Sequence, residues 1–355
     1  MSTLQRLADT QTIPTTTAWY LADLSEARGK QELFTKQSPQ RLKMLREHAL
    51  IESAISSNRI EGVTVDQSRV KAVVLGKSHL RDRDEEEVRG YRDALKLIHE
   101  AHAKLLVSEK TIKQLHLISR ARIGDAGKYK TKDSDIIEKY PDGRSRIRFK
   151  TVTAKQTPDA MRKLVTLWGD TLEEKSIHPL IAAAALNLDF LCIHPFRDGN
   201  GRVSRLLLLL TCYHLGFEVG RYISLERLVE ENKDRYYETL EQSSQGWHEG
   251  KHDPWPFINY LLFILKQAYR QFEERAGQLS SPRGSKTAMI ISAIDRSVGP
   301  FRVADIQRQC PGVSLDMIRK VLKDLRPQIE CLGRGKDAKW EKTAKWELGN
   351  NQATE

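Results

Sequence analysis

The chain's chemistry is concentrated in twelve residues, His194-Pro-Phe-Arg-Asp-Gly-Asn-Gly-Arg-Val-Ser-Arg205. His194 titrates near neutral pH and suits a general base. Asp198 supplies a hard oxygen of the kind that Mg²⁺ prefers. Gly199, Asn200 and Gly201 tolerate unusual dihedrals, so the backbone can turn sharply and expose its N–H groups. If a helix starts at this turn, its unpaired N–H groups and positive dipole end form an anion site. Arg202 and Arg205 follow at i and i+3, a spacing that lets both face one phosphate chain.

The elements that must position this loop are helical. Apolar residues recur at three- and four-residue spacing over about 40–61, 83–106, 109–121, 157–173, 179–192, 202–215, 225–243 and 254–277. The 194–205 segment therefore lies between two helices. Thr157-Pro158-Asp159 offers an N-cap, a proline at the first helical position and an early acid. The charge run Arg81 to Glu87 reads as a solvated helix face. Between Lys128 and Ala154 the pattern changes. Ile136-Ile137, the turn Tyr140-Pro-Asp-Gly143 and the alternation from Ile147 to Val152 predict a β-hairpin, either mobile or a docking edge.

The twelve-residue segment is similar at every fixed position to the signature HxFx[DE]GNGRxxR of the Fic family of adenylyltransferases. The resemblance implies an all-α, Fic-type helical core and transfer of AMP from ATP to a Ser, Thr or Tyr hydroxyl of a target protein, or of the enzyme itself. His194 would deprotonate that hydroxyl, and Phe196 would anchor the loop. Asp198 would hold Mg²⁺ on the α- and β-phosphates. Arg197, Gly199, Asn200 and Gly201 would line the nucleotide, with Arg202 and Arg205 on the β- and γ-phosphates. Ser57-Asn-Arg-Ile-Glu61-Gly62 resembles the family's inhibitory motif [ST]xxxE[GN], in which the glutamate pairs with the second arginine, here Arg205. Ser57 and Glu61 lie one turn apart, and Gly62 is a natural helix stop. The hairpin stands where the family carries a target-aligning flap, with Phe149, Lys150, Thr151 and Val152 as docking positions. Tyr236-Tyr237 resembles the pair lining the adenine pocket. The intact Asp198 and Gly201 argue against the family's phosphate-transferring branch. Removal of AMP by the same site, with Glu61 positioning water, is a further implied activity. Homodimers recur among relatives, and no segment here is diagnostic of an interface.

His248-Glu-Gly-Lys-His252 fits HExxH, but Gly250 and the prolines at 254 and 256 argue against the continuous helix that a zinc site of this type needs. Beyond the Gly/Ser/Pro-rich stretch 277–285, three short helical patterns at about 285–296, 302–309 and 314–325 precede two strand-like segments, Ile329–Leu332 and Lys339-Trp340. That layout predicts a small winged helix-turn-helix domain with Ser314 as an N-cap. Arg319, Lys320 and Lys323, with Arg334 and Lys336 on the wing, would meet DNA phosphates or a protein partner. The expected organisation is an N-terminal helical region 1–105 carrying the inhibitory helix, a core 106–277, a linker 278–285, a winged helix 286–347 and a tail 348–355.

The 355 residues are 39% apolar and 30% charged, which excludes global disorder, and the net charge of +11 suggests an anionic partner. Residues 282–355 hold 14 Lys/Arg and 9 Asp/Glu, so +5 of that charge is C-terminal. Cys192, Cys212, Cys310 and Cys331 show no paired spacing and read as reduced thiols of a cytoplasmic protein. Met1-Ser-Thr-Leu-Gln-Arg has no leader pattern, and no apolar run reaches the ~20 residues needed to cross a bilayer, so no membrane partner is expected.

Overall fold

The computed structural model describes residues 2–9, 12–35, 39–76, 79–121, 124–139, 143–279, 285–297, 299–310, 313–333, 335, 338–343 and 346. It is mostly helical and divides into two compact units, Met1–Lys36 with Leu45–Phe272, and Gln37–Met44 with Glu273–Glu355. Among the described residues, no helix is long and apolar enough to cross a membrane. Residues 140–142 of the expected turn, 280–284 of the expected linker, the wing residues Arg334 and Lys336 and the tail lie outside the described residues.

The helices before the hairpin are α1 (Thr3–Ala8), α2 (Thr15–Thr35), α3 (Pro39–Ile60), α4 (Val70–Val74), α5 (Arg83–Ala101) and α6 (Glu109–Ser119). The hairpin itself is β1 (Ile136–Lys139) and β2 (Ser145–Phe149). After it come α7 (Thr157–Glu174), α8 (Pro179–Ile193), α9 (Asn200–His214), α10 (Leu225–Glu231), α11 (Lys233–Ser244) and α12 (Trp255–Leu279). The single helix expected over 225–243 is two, because the chain turns at Asn232 between α10 and α11. The cap expected at Thr157 falls one residue earlier, on Gln156; Thr157 is instead the first helical residue and donates its hydroxyl to the Thr153 carbonyl.

The centre of the first unit is α8, buried at every position from Leu180 to Ile193. A helix that is apolar all round is stable only when surrounded. Its two polar residues are satisfied internally. Asn187 and Ser204 of α9 exchange two hydrogen bonds at 2.7 and 2.9 Å. Asp189 accepts the N–H groups of Thr3 and Leu4 at 2.7 and 3.1 Å and the Trp247 indole N–H at 2.7 Å. Burial nonetheless pushes the Asp189 carboxyl up.

The charge run before and into α5 is only in part the solvated face its composition suggested: Arg81, Asp82 and Arg83 are exposed. Glu85 and Glu87 are each only 3% exposed. Arg69 grips Glu85 with two 2.7 Å hydrogen bonds. Glu87 faces the candidate site. A carboxylate can be buried when guanidinium groups converge on it.

The second unit comprises α13 (Ser285–Arg296), β3 (Phe301–Arg302), α14 (Val303–Gln309), α15 (Leu315–Asp324), β4 (Ile329–Leu332) and β5 (Lys339–Lys342). The strands form an antiparallel sheet in the order β3-β5-β4, with Trp340 opposite both Phe301 and Cys331. Ile294, Phe301, Ile306, Ile318, Leu322 and Ile329 are among the residues of its core. Ser314 caps α15 by accepting the Met317 N–H.

Candidate active site

The 194–205 segment folds as a loop leading into α9. Gly199 sits at the helix N-cap with φ +82°, a left-handed conformation in which a Cβ would be strained. The loop is braced by Asn200, whose Nδ2 donates to the Phe196 carbonyl at 2.8 Å while its Oδ1 accepts the Phe196 N–H at 2.9 Å. Phe196 is fully buried and stacks on His116, with ring centroids 3.7 Å apart. His116 Nε2–H donates to the Asp198 carbonyl at 2.9 Å, and its Nδ1 accepts the Gly127 N–H at 2.8 Å. Only a neutral imidazole makes that pair of bonds. Burial accordingly pulls His116 down to about 4.

His194 ends α8 in the left-handed region, at φ +53°. Its Nδ1 lies 3.3 Å from the Leu191 carbonyl, which can only accept, so the proton is on Nδ1 and Nε2 keeps its lone pair. Burial, with the nearby Lys130 ammonium second, lowers its pKa to about 4. It is therefore a neutral base at physiological pH.

Arg205 is buried against the last turn of α3. Its Nε donates to Ser57 Oγ at 2.8 Å, and its Nη2 donates to the Ser57 carbonyl at 2.9 Å and Glu61 Oε1 at 2.8 Å. Burial alone would lower the guanidinium pKa, but the Glu61 carboxylate, with Tyr91 and Tyr236 beside it, raises it. Arg205 Nη1 is buried without a hydrogen-bond partner. Gly62, at φ +84°, ends the helix just past Glu61. A Cβ built on Gly201 would stand 2.3 Å from Glu61 Oε1. Glu61 thus occupies the mouth of the α9 N-terminus, where the helix favours an anion.

Arg202 does not share this face. It is 1% exposed, and its Nη1 contacts Glu87 Oε2 at 2.5 Å and Asn58 Oδ1 at 3.2 Å. Glu87 also accepts from Arg120 at 2.5 Å and Arg83 at 2.9 Å. Burial would raise the Glu87 pKa, but the surrounding guanidinium groups, Arg202 first, hold it below the usual range. The expectation that Arg202 and Arg205 point together at one phosphate chain is corrected by this pairing: Arg202 lies inside a buried carboxylate cluster. Arg120 extends the cluster to Asp198 Oδ2 at 2.9 Å. The Asp198 side chain is 55% exposed, and its Oδ1 accepts the Gly199 N–H at 2.6 Å. Arg197 is exposed.

The hairpin covers the site from the side of α11. Its strands pair with Ile137 opposite Ile147, both about half exposed. Arg146 and Arg148 hold Glu241 of α11 at 2.9 and 3.1 Å. Phe149 stacks on His248 at 5.5 Å, and His248 Nε2–H donates to the Lys150 carbonyl at 2.7 Å. Of the four expected docking positions, Thr151 and Val152 are corrected: the strand ends at Phe149 and both are buried at the hairpin's foot. The exposed apolar side chains are instead Ile137 and Ile147. A cavity of about 230 Å³ lies beneath, lined in part by Glu61, Phe149, His194, Gly201, Tyr236 and Tyr237. Tyr236 is buried with its ring edge-on to Tyr237 at 5.2 Å, and Arg148 sits over the Tyr237 ring. His252 points elsewhere, its Nε2 2.9 Å from Thr3 Oγ1, so the two histidines of the HExxH pattern do not converge.

Among the described residues no group of three or more His, Cys, Asp and Glu side chains could hold a metal. An Mg²⁺ ion at Asp198 would draw its other ligands from phosphate and water, the usual habit of this ion. Four contributors escaped sequence reasoning: Glu87, Arg120, His116 and Lys130. Each acts through partners distant in sequence, and the only local trace was the acidic run containing Glu87.

Residues 106–212 match the model of the Fic/DOC family. The chain is 27% identical over 226 residues to the protein adenylyltransferase Fic of Nematostella vectensis, covering 60% of this chain and 46% of that protein. It is 26% identical over 213 residues to the protein adenylyltransferase fic-1 of Caenorhabditis elegans, covering 57% and 37%. The chain thus spans less than half the length of these two curated relatives. Among solved structures, a Fic family protein from Desulfovibrio desulfuricans G20 superposes with a TM-score of 0.61 at 23% identity over 94% of this chain and 97% of that one. Fic-1 of C. elegans, residues 134–508, gives 0.59 at 20% identity over 74% of each.

Proposed function

We propose that this chain, which carries a Fic domain, transfers AMP from ATP to a protein hydroxyl and is restrained by Glu61. The observation that supports this most directly is the position of the Glu61 carboxylate. It rests on Arg205 and fills the space above Gly201, so an internal anion sits in a site built for one. The partnerless Arg205 Nη1 adds a buried donor that a phosphate oxygen would satisfy. In the reaction, His194 Nε2 accepts the target hydroxyl proton as that oxygen bonds to the α-phosphorus. The α–β phosphoanhydride bond breaks, and its electron pair leaves on pyrophosphate. Bound Mg²⁺ would neutralise phosphate charge, with Asp198 as its protein ligand. The α9 N–H groups and Arg205 meet the charge on the departing phosphates.

Incubating the full chain with α-labelled ATP and Mg²⁺ tests this. Glu61→Gly should label itself at least about tenfold more than the wild type, and His194→Ala in the same background should abolish the label. Equal labelling of Glu61→Gly and His194→Ala would sink the reading.

A second activity is favoured by α15. Ile318, Val321 and Leu322 face the core of its unit, leaving Arg319, Lys320 and Lys323 exposed together. We read this face as contacting DNA phosphates. A mobility shift of duplex DNA by the full chain should weaken steeply with salt and with Lys320→Glu. Absence of any shift at low salt removes this reading.

A further inference from the structure

Both peptide neighbours of His194 are held by one residue. The Lys130 N–H donates to the Pro195 carbonyl at 2.9 Å, and Lys130 Nζ donates to the Ile193 carbonyl at 3.3 Å. The same Nζ donates to Thr151 Oγ1 at 2.7 Å, and that hydroxyl donates to the Ser134 carbonyl at 2.8 Å. Ser134 precedes β1 and Thr151 follows β2, so these are the two feet of the hairpin. Lys130 thereby joins the feet of the flap to the backbone on either side of the histidine, its ammonium to the carbonyl before and its own N–H to the carbonyl after.

Lys130 is only 5% exposed, and the polar side chain within hydrogen-bond distance is a neutral hydroxyl. Burying an ammonium without a carboxylate beside it costs free energy, so mere filling of space would be better served by an apolar side chain. His194 has its own cost, a left-handed backbone at a non-glycine residue. Such a conformation persists where its surroundings over-determine it, and the carbonyls before and after His194 are the ones that Lys130 holds.

We propose that Lys130 is a positioning residue for His194, fixing the histidine's backbone and tying it to both feet of the flap. The proposal rests on the transferase reading above. Charges facing His194 are Lys130 on one side and the Glu61 and Asp198 carboxylates on the other; Lys130 in turn faces Asp133 and Asp135 at longer range. The ammonium opposes protonation of the imidazole, so it also keeps the base neutral.

The test uses the full chain in the Glu61→Gly background. Lys130→Met should cut turnover of self-labelling by about 10- to 100-fold while changing the ATP KM less than about threefold. The acid limb of its pH–rate profile should move upward. The His194 imidazole titration, followed by NMR and assigned by the signal lost in His194→Ala, should also rise. That titration needs no activity: if Glu61→Gly never labels itself yet the titration rises, the transferase reading fails and the positioning role stands. Thr151→Val keeps the charge but cuts the link to the flap; it should lower turnover about threefold or more and leave the titration unmoved. Turnover within twofold of the parent in both variants, or a loss carried wholly by KM, overturns the proposal.

Discussion

Glu61 Oε1 accepts a 2.8 Å hydrogen bond from Arg205 Nη2 and occupies the space where a Cβ on Gly201 would stand. The glycine in the first turn of α9 and the glutamate just after α3 are therefore one device read from two sides. The helix N-terminus stays open enough to take an anion, and the chain supplies one of its own.

Freeing that anion site should strengthen nucleotide binding. In a His194→Ala background, adding Glu61→Gly should raise ATP affinity by about tenfold in calorimetry, the scale of removing one competing charge. The same change leaves Arg205 with one fewer partner, so thermal stability should fall by about 1–2 kcal/mol. Unchanged affinity would show that Glu61 does not compete with the triphosphate.

Gly201→Ala should be destabilising because its methyl group meets the Glu61 carboxylate. The double variant with Glu61→Gly removes the obstacle. A double-mutant cycle by denaturant unfolding should give a coupling of about 1 kcal/mol or more. Additive effects would mean that the two residues do not compete for space.

Acid should weaken the fold through its histidines. Burial lowers His99 to about 3 and His116, His194 and His252 to about 4, against 6.5 for a free imidazole. Between those values the unfolded chain binds more protons than the native one, so stability rises with pH across the window. The contribution is complete above 6.5 and is lost as pH falls through about 4. Melting temperature should drop steadily from pH 7 to 4.5, by about 1 kcal/mol of stability per histidine at pH 5. A flat profile over that range would contradict the neutral, buried assignment.

Glu87→Gln should be the most damaging single change outside the apolar core. It leaves buried Arg202 with only the distant, half-exposed Asp198 carboxylate at 3.9 Å as counter-charge, a loss of about 3 kcal/mol measurable as a lower denaturant midpoint. Because Arg120 links Glu87 to Asp198, Mg²⁺ dependence of self-labelling should shift as well.

The division between what was legible and what was not follows interaction range. The loop at 194–205, the stop at Gly62, the hairpin and the cap at Ser314 rest on neighbours within a few residues, and the residue types announced them. Arg202 was misjudged because helical spacing gives the direction of a side chain but not the carboxylate waiting 115 residues away on α5. Composition made Glu85 and Glu87 look solvated for the same reason: burial of a charge is decided by partners that periodicity cannot see. Thr151 and Val152 continue the strand alternation in sequence, yet a lysine from the other foot claims the threonine hydroxyl. Helix α2, with its weakly patterned Thr15–Thr35, gave no usable signal at all.

The clasp of Asp189 on the first turn of α1 has a consequence in time. Thr3, Asp189 and Trp247 are separated by most of the chain, and all three must exist before the bonds can close. At ribosomal rates of about 5–20 residues per second, the first helix waits roughly 10–50 s for its acceptor and for the indole that completes it. The segment α1 is thus locked well after it is made. The helix that ends in His194 reaches its final environment only after synthesis has passed Trp247, so the surroundings of that histidine are completed late in the life of each new molecule.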